Sequence, residues 1–488
     1  MSAYDEFIES KRHSKKPEFT ELAFCPPQMF DFQRHLVEWA LGETRSAIFA
    51  DTGMGKTLMQ LTWAENVRRI TGKRVLVLAP LIVIYQTVKE SQKFGLSGVG
   101  ISRDGNIDSD IVVTNYEQLD KFSPKDFGGV VCDESGILKS LSGGVTRNAI
   151  VAFMKKTPYR LLCSATPAPN DYVELGNSSE ALGVMGLTSM QNKYFVNGRD
   201  NSSERRHFGK APKWEFRGHS EVPFWRWVAS WAKAIRQPSD IGFSDDGYVL
   251  PDPIINHHQI DVAPPPGMLF SLPAKGWSEQ RDEIKRTVKE RCQKAYELTR
   301  HDQPYICWVN RIDEAKELNR LCEDAVEVSG SDSDEAKVSK IQSFMNGDIR
   351  GLITKPSIAA WGLNFQHCAH MTYFPTHSYE EWYQSLRRCH RYGQTKTVVA
   401  DLVFSPGEQR IIGNMIAKSR KADAMHRQLV ALMNNPLQTE QTVHTERQEL
   451  PSWLSNQSQP KSSQTTTQST TLIASHSPKH CQTTALTA

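Results

Sequence analysis

"IFADTGMGKTLMQ", Ile48 to Gln60, decides how this chain is read. An apolar run, "SAIFA", enters a loop at Asp51–Gly55 and leaves it as a helical pattern from Lys56. Glycines at 53 and 55 let backbone N–H groups point at phosphate oxygens, and a helix N-terminus adds partial positive charge there. In that arrangement Asp51, Thr52, Gly53, Met54 and Gly55 form a phosphate cradle. Lys56 reaches the β and γ phosphates, and the Thr57 hydroxyl holds Mg²⁺. One position departs from the usual G-x-x-x-x-G-K-[ST]: Ala50 stands where that pattern begins with glycine.

Outward from this loop, between Phe30 and about Gly183, short apolar runs alternate with amphipathic stretches. "RSAIFAD", "RVLVLAP", "DIVVTN", "GGVVCDE" and "YRLLCSAT" each read as a buried strand ending at a polar or small-residue turn. That rhythm predicts a parallel sheet covered by helices on both faces, with functional groups at the carboxyl ends of the strands. The rhythm stops in a stretch rich in Trp, Arg, Gly, Asn and Ser. It resumes with "PYICWVN", "AVEVSG", "RGLITKP", "AHMTYFP" and "TVVADLVF", a second α/β unit. From Pro436 to Ala488 the chain turns to Ser, Thr and Gln with few large apolar residues, so a disordered tail is expected there. The expected organisation is an N-terminal segment (1–27), a first α/β lobe (28–186), an insertion (187–262), a second α/β lobe (263–435) and the tail (436–488).

Downstream of the loop, the run "GGVVCDESG" ends in Asp133 and Glu134. There the aspartate binds Mg²⁺ and the glutamate orients and deprotonates an attacking water. Together with Lys56 and Thr57 this pair points to a nucleoside triphosphate hydrolase. A kinase would also own a phosphate loop, so the second unit discriminates. It holds "YQSLRRCHRYGQ", Tyr383 to Gln394, in which a helix would set Gln384, Arg388 and Arg391 along one face. Arginine presented to a γ-phosphate from a separate lobe is the arginine-finger device; a solvated basic helix is the alternative reading.

The totals narrow the partners. A length of 488 residues exceeds one ordinary core, and the formal net charge of +3 means that any nucleic-acid surface is local. Nine scattered cysteines with no C-x-x-C pair fit reduced, mostly buried thiols. The polar N-terminus has no apolar stretch of the signal-peptide type, and no run is long enough to span a bilayer. A cytoplasmic protein is expected, in a bacterium or a phage-infected host.

The ordered series of segments resembles superfamily 2 helicases and translocases of the DEAD/DEAH-box kind, closest to the Swi/Snf-type branch and its small phage-encoded relatives. "ADTGMGKT" is similar to the family form A-x-x-G-x-G-K-T, which accounts for Ala50. "FDFQRHLVEWAL" resembles the segment whose glutamine, here Gln33, recognises adenine. "VLAPLIVIYQTVKE" (Pro80, Gln86) and "VVTNYEQL" (Thr114, Asn115) resemble segments lining the nucleic-acid path. "DESGILKS" differs from the family's Asp-Glu-x-His at Ser135 and Gly136, while Lys139 fits the phage group. "CSATPAPNDYVELG" resembles the segment that couples hydrolysis to lobe movement through Ser164, Ala165 and Thr166. In the second unit Gly362 and Asn364 align with a G-x-N element, and Ala359 and Ala360 replace the Gly-Gly of the Swi/Snf version. "QSLRRCHRYGQ", with Gln384 and Gln394 at its ends, assigns the finger role to Arg388 and Arg391.

The resemblance implies two tandem RecA-like lobes that bind ATP with Mg²⁺ and close over it. Lys56, Asp133, Glu134, Arg388 and Arg391 would be catalytic, with Thr57 and Asp133 on the metal. The implied function is a DNA helicase or translocase stimulated by nucleic acid. The alternatives are a duplex translocase that moves without separating strands and an ATP-switched clamp with slow turnover. In the Trp/Arg-rich segment, Phe224, Trp227, Val228 and Trp231 read mainly as the core stripe of a helix, and Arg205, Arg206, Lys210, Lys213 and Arg217 as a candidate phosphate-contacting patch. His367, Cys368 and His370 lack four ligands at a zinc spacing and read as structural.

Overall fold

The computed structural model describes residues 21–140, 144–197, 214–264, 274, 276–360 and 363–433. The tail 436–488, Gly362, and the basic residues Arg205, Arg206, Lys210 and Lys213 lie outside them. Strands β1 (Arg45–Ala50), β2 (Arg74–Ala79), β3 (Val99–Ile101), β4 (Ile111–Asn115), β5 (Phe127–Cys132) and β6 (Tyr159–Cys163) follow one another with helical segments between them, except that a loop alone joins β3 to β4. A short antiparallel hairpin, β7 (Phe195–Asn197) with β8 (Trp214–Phe216), comes next, and then β9 (Ala232–Ile235). The first sheet is seven-stranded in the order β3-β4-β2-β5-β6-β1-β9, and every pairing in it is parallel.

The inner strands of this sheet are largely apolar on both faces, as a parallel sheet covered by helices requires. Ile48, Val75, Val77 and Val113 pack under the helices Asp31–Glu43, Lys56–Thr71 and Leu81–Lys93, through Leu36, Met59 and Ile84. The alternate residues Ala47, Phe49, Leu76 and Leu78 face Ile150 and Leu182 of the helices Val145–Lys155 and Leu175–Leu182. Because β2, β5, β6 and β1 are neighbours running the same way, the loops after them emerge in a row along one edge.

The second sheet comprises β10 (Ile254–Gln259), β11 (Tyr305–Trp308), β12 (Ala325–Val328), β13 (Gly351–Thr354), β14 (His370–Tyr373) and β15 (Val399–Phe404). Its order is β10-β15-β14-β11-β13-β12, again all parallel. Ile306 and Trp308 face one core and Tyr305 and Cys307 the other, so this sheet too is covered on both faces. The protein therefore has the two parallel-sheet α/β lobes expected of a RecA-like pair.

The stretch 187–262, read from sequence as an insertion, is shared between the lobes instead. Its strand β9 completes the first sheet beside β1, with Ala47 opposite Ala232 and Ala50 opposite Ile235. Its strand β10 forms the edge of the second sheet, running from Ile254 opposite Val399 to Gln259 opposite Phe404. Both escaped the sequence reading for physical reasons. β9 is four residues long, and β10, "IINHHQ", is an edge strand whose polar residues tolerate solvent. Phe224, Trp225, Val228 and Trp231 are buried in the first lobe's core, and Trp227 stacks on Tyr194. Arg217 is exposed.

The last described helix, Gln409–Met433, belongs to both lobes. Ile412 and Met415 pack in the second core, whereas Met425 and Leu429 are buried in the first. Among the described residues no helix is long and apolar enough to cross a membrane.

Candidate nucleotide site and interlobe cleft

The phosphate loop follows β1 and turns through Gly53 (φ 92°) and Gly55 (φ 79°), a left-handed conformation that side chains with a Cβ resist. At Gly53 space is also short: a Cβ there would sit 2.9 Å from the backbone nitrogen of Tyr392 in the second lobe. Lys56 Nζ donates to Ala50 O (3.0 Å) and Asp51 O (3.4 Å), which folds it back over the loop. Thr57 stands half-buried in the first helical turn.

Gln33 is buried beside this loop. It accepts from Phe30 N–H (3.1 Å) and donates through Nε2 to Met54 O (2.9 Å), so its amide braces the cradle from the side. Asp51 and Thr52 do not face the cradle with their side chains. The Asp51 carboxylate accepts from Thr52 N–H (2.6 Å) and Thr52 Oγ1 (3.2 Å) and then turns towards the second lobe.

Three strand ends bring their chemistry to the same edge. After β5, Asp133 and Glu134 are both buried, and Glu134 takes the left-handed conformation (φ 51°) rarely adopted by a non-glycine residue. Gln60, one helical turn beyond Lys56, donates to Asp133 Oδ1 at 2.6 Å. Burial, with the adjacent Glu134 carboxylate second, pushes the Asp133 carboxyl up to about 6. Among the described residues Glu134 Oε2 is buried with no hydrogen-bond partner. Such an oxygen is costly to leave unmade unless water or substrate completes it. After β6, Ser164 Oγ accepts from Thr166 N–H (3.0 Å), and Ala165 and Thr166 line the cleft with Asp51.

The second lobe answers with the helix Tyr379–Cys389. Gln384 Nε2 donates to Thr166 Oγ1 (3.5 Å), and Gln384 Oε1 accepts from Arg388 Nη2 (2.5 Å). Arg388 and Arg391 each donate to the carbonyl of Leu363 at 3.0 Å. Burial lowers both guanidinium pKa values, that of Arg391 to about 10; the nearby Asp133 and Glu134 carboxylates counter the effect at Arg388. Arg388 thus stands in the cleft electrostatically coupled to the acidic pair, whereas Arg391 lies beside Arg388 and Glu90; the bonds of both to Leu363 O stay on their own lobe. Lys139 pairs with the buried Glu380, which also accepts from Thr166 Oγ1 (3.5 Å).

The remaining sequence candidates are placed less centrally. Pro80 caps the helix Leu81–Lys93, accepting from Val83 N–H at 2.9 Å, and Gln86 donates to Glu90 on that helix (2.7 Å). Thr114 is buried at the end of β4, where Asn115 donates to Glu117 (2.6 Å). Asn364 caps a local turn through Gln366 N–H (3.2 Å). Gln394 staples the second lobe from within, donating to Gln366 O (2.9 Å) and Cys368 O (3.1 Å). His370 donates to Asp401 (2.7 Å), and among the described residues no His, Cys, Asp and Glu group could hold a metal ion.

Sequence reading missed Gln60, Glu380, Tyr383 and Arg387. Gln60 left a signal, since it lies four residues beyond Lys56 on a helix whose face must be buried. The other three left no local pattern, because their partners lie in the other lobe.

Residues 30–175 match the family model of the DEAD/DEAH box helicase. Protein p41 of Acyrthosiphon pisum secondary endosymbiont phage 1 is 29% identical over 172 residues, which is 30% of this chain and 36% of that protein. The chain therefore spans about a third of the length of this curated relative. Among solved structures, the Sulfolobus solfataricus SWI2/SNF2 ATPase core in complex with dsDNA has a TM-score of 0.40 at 14% identity. That alignment covers 84% of this chain and 99% of that one.

Proposed function

We propose that this protein, whose residues 30–175 match the DEAD/DEAH box helicase model, is an ATP hydrolase that couples turnover to movement on DNA. The observation that carries the reading is the buried Glu134 Oε2, without a hydrogen-bond partner among the described residues, beside the Lys56 loop and within the electrostatic reach of Arg388 from the second lobe. A carboxylate in that state needs a water or a substrate group, and the catalytic base of a hydrolase takes one.

In this reading the cradle amides and Lys56 bind the β and γ phosphates, and Gln33, which already braces Met54, stands next to the base. Glu134 accepts the proton of the attacking water. Arg388 and Arg391 leave Leu363 O to stabilise charge on the transferred phosphoryl group. The Thr57 hydroxyl and the Asp133 carboxylate suit a hard divalent cation that keeps several waters, and Gln60 orients that carboxylate. Mg²⁺, when bound there, supplies charge neutralisation on the β and γ phosphates. Thr166, joined to Gln384 and Glu380, links the state of the cleft to the second lobe.

With both lobes on the same strand, each cycle of closing and opening shifts one grip relative to the other. Pro80, Gln86, Thr114 and Asn115 in the first lobe, and Gly362, Asn364 and Gln394 in the second, belong to the nucleic-acid and coupling side of this reading. A cytoplasmic location fits it.

The test is ATP hydrolysis with no polymer, single-stranded DNA, duplex DNA and structured RNA, at low and moderate salt. Stimulation mainly by duplex DNA supports a translocase, and stimulation mainly by single strands an unwinding helicase. Phosphate-dominated binding would weaken as salt rises. Turnover abolished by Lys56→Ala but indifferent to every polymer would replace the motor with a nucleotide-switched clamp. No turnover at all would overturn the reading.

A further inference from the structure

Asp51 belongs to the phosphate loop, yet its strongest partners come from the second lobe. Tyr383 Oη donates to its Oδ1 at 2.6 Å, and Arg387 forms an ion pair with its Oδ2. The Asp51 side chain is 2% exposed and that of Arg387 20%, so the pair is largely screened from water. Arg387 lies over the Tyr383 ring, 5.4 Å from its centroid. The second arm of the same guanidinium, Nη1, donates to His390 Nδ1 (2.9 Å). That bond leaves the imidazole proton on Nε2, which donates to Pro251 O (2.9 Å). Pro251 lies in the stretch 236–253 that joins β9 of the first sheet to β10 of the second. A continuous polar path therefore runs from Thr52 N–H through Asp51, Arg387 and His390 to the chain between the lobes.

Burial alone would raise the pKa of Asp51; Arg387 and the Tyr383 hydroxyl outweigh it and hold the carboxyl below its ordinary value. The carboxylate is thus charged in place. A buried ion pair is a poor device for stability, because desolvation offsets most of its attraction. It is a good device for fixing one geometry, since either partner alone is a buried unpaired charge. Here the geometry that it fixes is the first peptide of the phosphate loop, which Asp51 grips through Thr52 N–H.

We infer that Arg387 and Tyr383 are positioning residues that hold the phosphate loop through Asp51 and connect its state, through His390, to the interlobe chain at Pro251. Both act through Asp51, to which their side chains are bonded. The consequence for turnover rests on the nucleotide reading proposed above; the mechanical link does not.

The experiment has a part without nucleotide and a part with it. In the nucleotide-free full chain, amide hydrogen exchange is compared for wild type, Arg387→Gln and the milder Tyr383→Phe, which removes only the hydroxyl. The link predicts about tenfold faster exchange, both in 51–57 and around 250–253, for Arg387→Gln, and a smaller change of the same pattern for Tyr383→Phe. Loosening confined to the helix Tyr379–Cys389, in both variants, would mean a local structural role and overturn the inference. With ATP, kcat and KM are measured for Asp51→Asn, Arg387→Gln and the double variant. We expect about a tenfold loss of kcat in each single variant and no further loss in the double, the mark of one coupled unit. Single losses that multiply in the double overturn the coupling. Faster exchange in the loop together with a wild type that hydrolyses no ATP would uphold the link and remove the nucleotide reading.

Discussion

Gln60 Nε2 lies 2.6 Å from Asp133 Oδ1, so the helix that begins at the phosphate loop also holds the aspartate of the neighbouring strand end. This bond opposes the burial that lifts the Asp133 carboxyl to about 6. An unfolded aspartate titrates near ~4. The folded protein therefore binds this proton more readily, and the group costs stability progressively as pH rises from about 4 to 6. Binding of Mg²⁺ and nucleotide needs the ionised form, so the acid limb of kcat/KM, which reports the free enzyme, should fall near pH 6. Gln60→Leu should move that limb upward by up to about one unit, measured from kcat/KM against pH. Asp133→Asn should abolish turnover yet raise thermal stability, by roughly 1–3 kcal/mol. A variant less stable than wild type would contradict the assigned strain.

Glu134→Gln removes a buried carboxylate whose Oε2 has no partner among the described residues. Turnover should drop by about 10²–10⁴-fold, the range of a lost general base. Nucleotide binding should survive, because Lys56 and the cradle are untouched. Steady-state hydrolysis and binding of a fluorescent ATP analogue separate the two effects.

Arg388 and Arg391 share Leu363 O, but only Arg388 also holds Gln384 Oε1. Replacing either by Ala should lower kcat by about 10³–10⁵-fold with little change in KM, as expected of a finger that acts in the transition state. Arg388→Ala should in addition cost roughly 1–3 kcal/mol of stability, because the buried acceptor on Gln384 loses its donor. Thermal unfolding beside single-turnover kinetics distinguishes the two arginines.

Leu429 is buried in the core of the first lobe, although its helix starts in the second. Leu429→Ala should cost about 2–5 kcal/mol, the usual result of an apolar cavity. Because the helix spans both cores, the loss should fall on the unfolding of the first lobe. Limited proteolysis that releases the second lobe first would argue against this bracing.

The phosphate loop, Asp133–Glu134 and the rhythm of two parallel sheets were legible in the sequence because their physics is local. A phosphate cradle needs glycine where φ is positive, as at Gly53 and Gly55, and a doubly covered strand needs continuous apolar residues. The same local logic read Phe224, Val228 and Trp231 as core, where they are buried, and missed Trp225. It failed at β9 and β10, where four residues or a polar edge leave too little pattern and pairing with a distant strand decides the conformation. The role of Asp51 was also beyond sequence. Its loop position suggests phosphate binding, while its carboxylate is held by Arg387, 336 residues away. Such a partner costs chain entropy that only the packing of both lobes repays, so the tertiary structure alone determines that Arg387, next to the Arg388 singled out from the sequence, is the arginine that holds the loop.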